Sequence, residues 1–83
     1  MKWVADVVIA LRPSVLDPAG TAVAVSLQQL GHTSVEAVRI GKHITLSLEA
    51  IDAAAAQSEV EAMCEILLAN VVIETYSVSV REA

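Results

Sequence analysis

Arg12, Arg39, Lys42 and His43 are the side chains whose types and spacing could act together. Arg12 closes the first extended stretch, and the other three flank Gly41. A fold that joins the two stretches would make one cationic cluster able to grip an anion or an acidic surface. Read as ordinary solvated strand ends, the same four charges need no further role. His43 could be a ligand or an acid–base group, but a lone histidine beside a glycine turn is commonly just exposed. Glu49 and Asp52 stand three apart, as a carboxylate pair would, yet the local pattern makes Glu49 a strand end and Asp52 a helix cap. Cys64 has no second cysteine and no neighbouring cation to activate it, so it reads as a small apolar residue. The chain has no phosphate-binding glycine loop, no Cys-x-x-Cys, no His-x-x-x-His and no nucleophile with a base beside it. These absences predict a chain without a self-sufficient active site, holding no cofactor and no metal.

The elements that must position these residues are legible in order. Residues 2–12 are predicted to form a strand with Trp3, Ala5, Val7, Ile9 and Leu11 on one face. Val4, Asp6, Val8 and Ala10 form the other, so the pattern is that of a central strand covered on both sides. Pro13 lacks an amide donor and holds Arg12 extended, which ends the strand. Asp17-Pro18 is an N-cap followed by proline at the first helical position, so a helix starts there and runs to Leu30 with Gly31 as its C-cap. Its apolar positions are Val23, Leu27 and Leu30, and the small Ala19 and Gly20 leave its first turn open to close approach.

Residues 35–40 and 44–48 read as two strands joined by a three-residue loop of Gly41, Lys42 and His43. Asp52 caps a second helix through the alanine run to about Leu68, with Ala56, Val60, Met63 and Leu67 inward and Glu59, Glu61 and Glu65 in solvent. Asn70 is suited to the left-handed residue that ends it. Residues 74–81 alternate, with Tyr76, Val78 and Val80 on one face and Thr75, Ser77 and Ser79 on the other. The order β-α-β-β-α-β predicts one α+β domain over residues 1–83. Its architecture would be ferredoxin-like, a four-stranded antiparallel sheet with two helices on one face. The opposite face, lined by Val4, Val8, Ala10 and short polar side chains, is expected to assemble sheet to sheet.

Composition narrows the function class. The chain has 83 residues, is 55% apolar with one Trp, one Tyr and no Phe, and carries a formal charge of -5. An aliphatic surplus in so short a chain predicts that a partner covers some of it. An acidic domain with almost no aromatic side chains is a poor binder of nucleic acid or of a membrane surface. One cysteine suits a reducing, cytoplasmic setting. No secretory signal or membrane-length apolar run is seen.

Four runs in this order carry a family resemblance: LRPSVLDPAG at 11–20, VRIGK at 38–42, CEILLAN at 64–70 and VIETY at 72–76. The chain resembles the PurS family along essentially its whole length. It departs at Ser14, where the family commonly has glycine, and at Val71, where a proline usually follows the asparagine. The resemblance implies a homodimeric or homotetrameric subunit with no catalytic residue of its own. It implies two partners, the synthase subunit PurL, which binds ATP and magnesium, and the glutaminase subunit PurQ. Ammonia from glutamine would convert formylglycinamide ribonucleotide to the amidine with ATP hydrolysis. The candidate interface is then Arg12, Pro13, Leu16, Asp17, Pro18 and Gly20 with Arg39, Gly41, Lys42 and His43, two loops at one end of the sheet. A small-ligand regulatory module of ferredoxin-like type is the alternative. A small phosphatase using Arg12 and Asn70 is a third reading, disfavoured because Pro13 and Leu16 occupy the loop where a phosphate cradle would be needed.

Overall fold

The computed structural model describes residues 1–83. Its elements are β1 (Lys2–Leu11), α1 (Pro18–Gln29), β2 (Lys42–Glu49), α2 (Ala53–Met63), a π-helical turn (Cys64–Leu68) and β3 (Glu74–Glu82). The three strands form one antiparallel sheet in the order β2-β1-β3. Val7 of β1 faces Ile44 of β2 and Val78 of β3 across the two ladders. This register gathers the apolar side chains of all three strands on one face, because side chains alternate along a strand. Ala5, Val7 and Ile9 are fully buried there against Val60 and Cys64. Trp3 closes the edge of this core, its indole N–H donating to the carbonyl of Ala50 at 3.2 Å.

Three expectations fail, each for a local reason. Residues 35–40 are not a strand. The half-buried positions are Val35 and Val38, three apart, which is not the alternation of a strand. Its polar backbone is answered by α1 instead: Gln28 Nε2 donates to the Val35 carbonyl at 2.8 Å and the Ile40 amide donates to Asp17 at 2.8 Å. The hairpin therefore does not form, and Lys42 and His43 are the first residues of β2. Gly31 alone has a left-handed φ, 105°, as its place after α1 predicted, whereas Gly41 does not turn the chain back.

The ferredoxin-like cover of two helices is the second correction. Only α2 packs on the sheet, against β3 and β1. α1 and residues 35–40 extend away as an arm. The radius of gyration is 16.3 Å, where a compact chain of this length has about 12 Å. Val23 and Leu30 are accordingly exposed rather than inward.

Third, α2 gives way to a π-helical turn. The Ala69 amide bonds to the Cys64 carbonyl five residues back, at 3.1 Å. The wider turn shifts the helical phase, so Leu67 rotates out to 80% exposure while Cys64 takes the inward place. Asn70 does not adopt the left-handed conformation. Its side chain instead accepts the Val72 amide at 3.2 Å.

The second face of β1 is open in the single chain and carries a charged cluster. Val8 is half exposed, and Asp6 gathers charge there. Asp6 Oδ1 accepts from Thr45 Oγ1 and pairs with His43 Nε2, both at 3.1 Å, and Oδ2 is bound by Arg81. Thr45 stands directly opposite Asp6 on β2, and His43 and Arg81 occupy diagonal places on the neighbouring strands, within reach of a central side chain.

Candidate partner-docking site

The arm is hinged to the sheet by a knot of hydrogen bonds that uses most of the residues singled out in the sequence. Asp17 is the centre. One carboxylate oxygen accepts the Gly20 amide at 2.8 Å, as an N-cap does, and the other accepts the Ile40 amide at 2.8 Å. The Asp17 side chain is buried, and these two amides, the Ile40 bond first, hold its carboxyl below the usual range, with Arg39 nearby adding to the effect. Pro18 occupies the first helical position behind it. Gly20 is buried where α1 crosses residues 35–40, and a Cβ there would overlap the Val38 carbonyl oxygen.

Arg12 continues β1 by one bond, its amide donating to the Ile73 carbonyl at 2.8 Å. Its guanidinium donates to the Val71 carbonyl at 2.7 Å, and its own carbonyl accepts from Arg39 at 3.0 Å. Both arginines therefore tie backbone segments together while remaining exposed. Gly41 passes β1 so closely that a Cβ would overlap the Ile9 carbonyl oxygen. Lys42 reaches across to Glu74, Nζ to Oε2 at 3.4 Å. The Asn70 amide and then Lys42 hold the Glu74 carboxyl below its ordinary value. Pro13 and Leu16 are exposed beside this knot, Leu16 at 77%.

The structure thus brings Arg12, Asp17, Gly20, Arg39, Gly41 and Lys42 to one end of the sheet. His43 does not join them. As the second residue of β2 it points to the opposite face and binds Asp6. The Asp6, Thr45 and Arg81 cluster was missed in the sequence. Its one signal is Asp6 itself, the lone charge between Trp3 and Leu11 of an otherwise apolar strand. Glu74 was also missed, because its partner is set by strand register. Beside the knot, a cleft of about 280 Å³ runs between α1 and residues 36–39, with Ala24, Val25 and Gln28 on one wall and Glu36 and Val38 on the other.

Chemically the site is a set of ties rather than a reacting centre. Burial, then Glu61 and Glu65, push the Cys64 thiol up, so it is a poor nucleophile. The phosphatase reading fails on geometry: the Arg12 guanidinium is committed to Val71, and the Asn70 side chain to Val72.

The lowered carboxyls of Asp6, Asp17 and Glu74 fix a pH dependence. His43 is the first cause at Asp6, with Thr45 and Arg81 adding to it. Groups bound more tightly as anions in the fold stabilise it above their unfolded values, 3.8 for the aspartates and 4.5 for the glutamate. That contribution disappears as pH falls through the lower folded values. Urea midpoints should therefore hold steady from neutral pH to about 5 and fall below about 4. Asp6→Asn with Glu74→Gln should lower the neutral midpoint and flatten the acid limb; an acid limb as steep as before would count against these ties.

Comparison with known proteins places the whole chain. Residues 4–82 match the family described as PurS, phosphoribosylformylglycinamidine (FGAM) synthase. The phosphoribosylformylglycinamidine synthase subunit PurS of Synechocystis is 62% identical over 68 residues, 82% of this chain and 68% of that protein. The Bacillus subtilis subunit is 45% identical over 92% of this chain and 89% of its own length. Among solved structures, Methanocaldococcus jannaschii PurS superposes with a TM-score of 0.87 at 34% identity, covering 98% of each chain. A chain of the PurLQS structure from Thermotoga maritima superposes with 0.89 at 31% identity, covering 98% of this chain and 99% of that one.

Proposed function

This chain belongs to the PurS family, and we propose that it acts as the small, non-catalytic subunit of phosphoribosylformylglycinamidine synthase in purine biosynthesis. It joins the synthase subunit PurL to the glutaminase subunit PurQ, so that ammonia released from glutamine converts formylglycinamide ribonucleotide to the amidine. ATP and magnesium are held by PurL, and no residue of this chain enters the reaction. The observation that carries this reading is the end-to-end superposition on a chain of the Thermotoga maritima PurLQS structure. A site made of ties, with its one thiol buried, agrees with it. No finding favours the regulatory-module alternative.

The chain works as a homo-oligomer in the cytoplasm. A dimer suits it better than a tetramer stacked through the open sheet faces, because stacking would remove two Asp6-centred ion clusters from water. No helix is long and apolar enough to cross a membrane. The docking face is the hinge end of the sheet, where the exposed Arg12, Leu16, Arg39 and Lys42 stand on a rigid frame.

Co-purification with tagged PurL and PurQ tests the reading. The unaltered chain should be retained with both. Arg12→Glu reverses a rim charge and frees the Val71 carbonyl, and should weaken retention by about tenfold, the effect of about 1.4 kcal/mol. Undiminished retention would move the interface away from the hinge, and no retention of the unaltered chain would remove the bridging role.

A further inference from the structure

The cleft between α1 and residues 36–39 has an apolar interior that nothing in the chain fills. Leu16, Ala24, Val25, Ala37 and Val38 line it, with Val25 45% and Leu16 77% exposed. The polar groups among them are already answered. Asp17 accepts the Gly20 and Ile40 amides, Thr21 Oγ1 donates to the Asp17 carbonyl at 3.0 Å, and Gln28 Nε2 donates to the Val35 carbonyl. A group entering here therefore meets aliphatic surface.

Two charges on the same wall are free. The four ion pairs of the chain engage neither Glu36 nor Arg39. Arg39 gives one N–H to the Arg12 carbonyl, which leaves most of its five donors available, and the exposed Arg12 stands beside it. Glu36 and Arg39 are three residues apart, about 10 Å at full extension. The cleft thus has a negative end, an apolar middle and a positive end.

Its size decides what kind of group it takes. Pockets that enclose a drug-sized ligand have volumes of about 300–1,000 Å³, whereas this one has about 280 Å³ and opens to solvent at Val25 and Leu16. It suits a side chain rather than a whole metabolite. Val25 also stands about 200° around α1 from the exposed Val23, so the cleft belongs to a different side of the helix. The chain's own stretch of matching pattern, Glu36 to Arg39, lines the cleft with its Val38 half-buried, and cannot lend that side chain to a second copy.

We propose that the cleft seats a short segment of a partner subunit in which an aliphatic side chain stands between an acidic and a basic residue. The aliphatic group lies against Val25 and Val38, the carboxylate meets Arg39 and Arg12, and the basic group meets Glu36. A segment entering the other way round would set like charges together, so the charges fix its direction. This assignment names the partner chemistry at the hinge end and rests on the bridging reading.

The test measures binding of the chain to tagged PurL and to tagged PurQ, each by itself. Binding of the unaltered chain to neither would remove the bridging reading and the seated segment with it. Val25→Glu should weaken binding to one of the two subunits by at least about 30-fold, as loss of a central interface side chain does. Binding to the other subunit, helical circular dichroism and the mass in sedimentation equilibrium should stay as they were. Glu36→Lys should weaken the same binding about tenfold, and by less near 1 M salt, where charges are screened within about 3 Å. Glu36 is exposed and unpaired, so this variant decides the question if Val25→Glu loses its helix. Bridging that survives with Val25→Glu bound as tightly as the unaltered chain overturns the seated segment alone. So does a tighter complex from Glu36→Lys, or equal weakening towards both subunits. A lower mass for a helical Val25→Glu chain would give the cleft to contact between copies and overturn it too.

Discussion

Ile9→Ala is expected to remove about 2–5 kcal/mol of stability, the range for truncating a fully buried branched aliphatic side chain. Ile9 has no exposure and sits mid-sheet on the central strand, beneath the α2 cover and beside Tyr76 of β3. Domains have total stabilities of about 5–15 kcal/mol, and one of 83 residues belongs near the lower end. The variant should therefore be partly unfolded at physiological temperature, as read by circular dichroism and urea titration. A loss under about 1 kcal/mol would mean that this face is not the core.

Gly20→Ala separates two physical effects of opposite sign. In an ordinary helix the change stabilises by about 0.5–1 kcal/mol, because glycine is the more flexible residue in the unfolded chain. Here the added Cβ would meet the Val38 carbonyl oxygen and the Asp17 carboxylate. The first is backbone and cannot swing aside, and the second is fixed by two amides. Overpacking of this kind costs about 1–3 kcal/mol, so the loss should win and residues 35–40 should lift from α1. The checks are a lower melting temperature and faster amide exchange at Ile40. A gain in stability would show that the arm is not clamped at Gly20.

What the sequence made legible was local. Pro13, the Asp17-Pro18 cap, the Asp52 cap and Gly31 each act through neighbouring backbone, and each marks an element boundary where expected. The alternation in residues 2–11 and 74–81 placed the sheet core for the same reason. Residues 35–40 were misread because β-branched residues beside a glycine look like a hairpin strand whether their amides meet another strand or the side chains of α1. Nothing within that segment distinguishes the two. The arm's direction is a long-range property, and a helix with an apolar stripe has the same sequence whether its own sheet or a second copy covers it. The cationic cluster was half right. Arg12 and Arg39 meet because both flank the hinge, while His43 was lost to the far face once β2 began at Lys42 and set its phase.

The bridging role is tested most directly by amidine formation from formylglycinamide ribonucleotide in mixtures of PurL and PurQ, with and without this chain. With glutamine as nitrogen source, turnover should require the chain. With ammonia supplied directly, PurL should turn over at a rate the chain does not change, as expected of the non-catalytic subunit proposed above. Glutamine-dependent turnover that proceeds equally well in its absence would contradict the account.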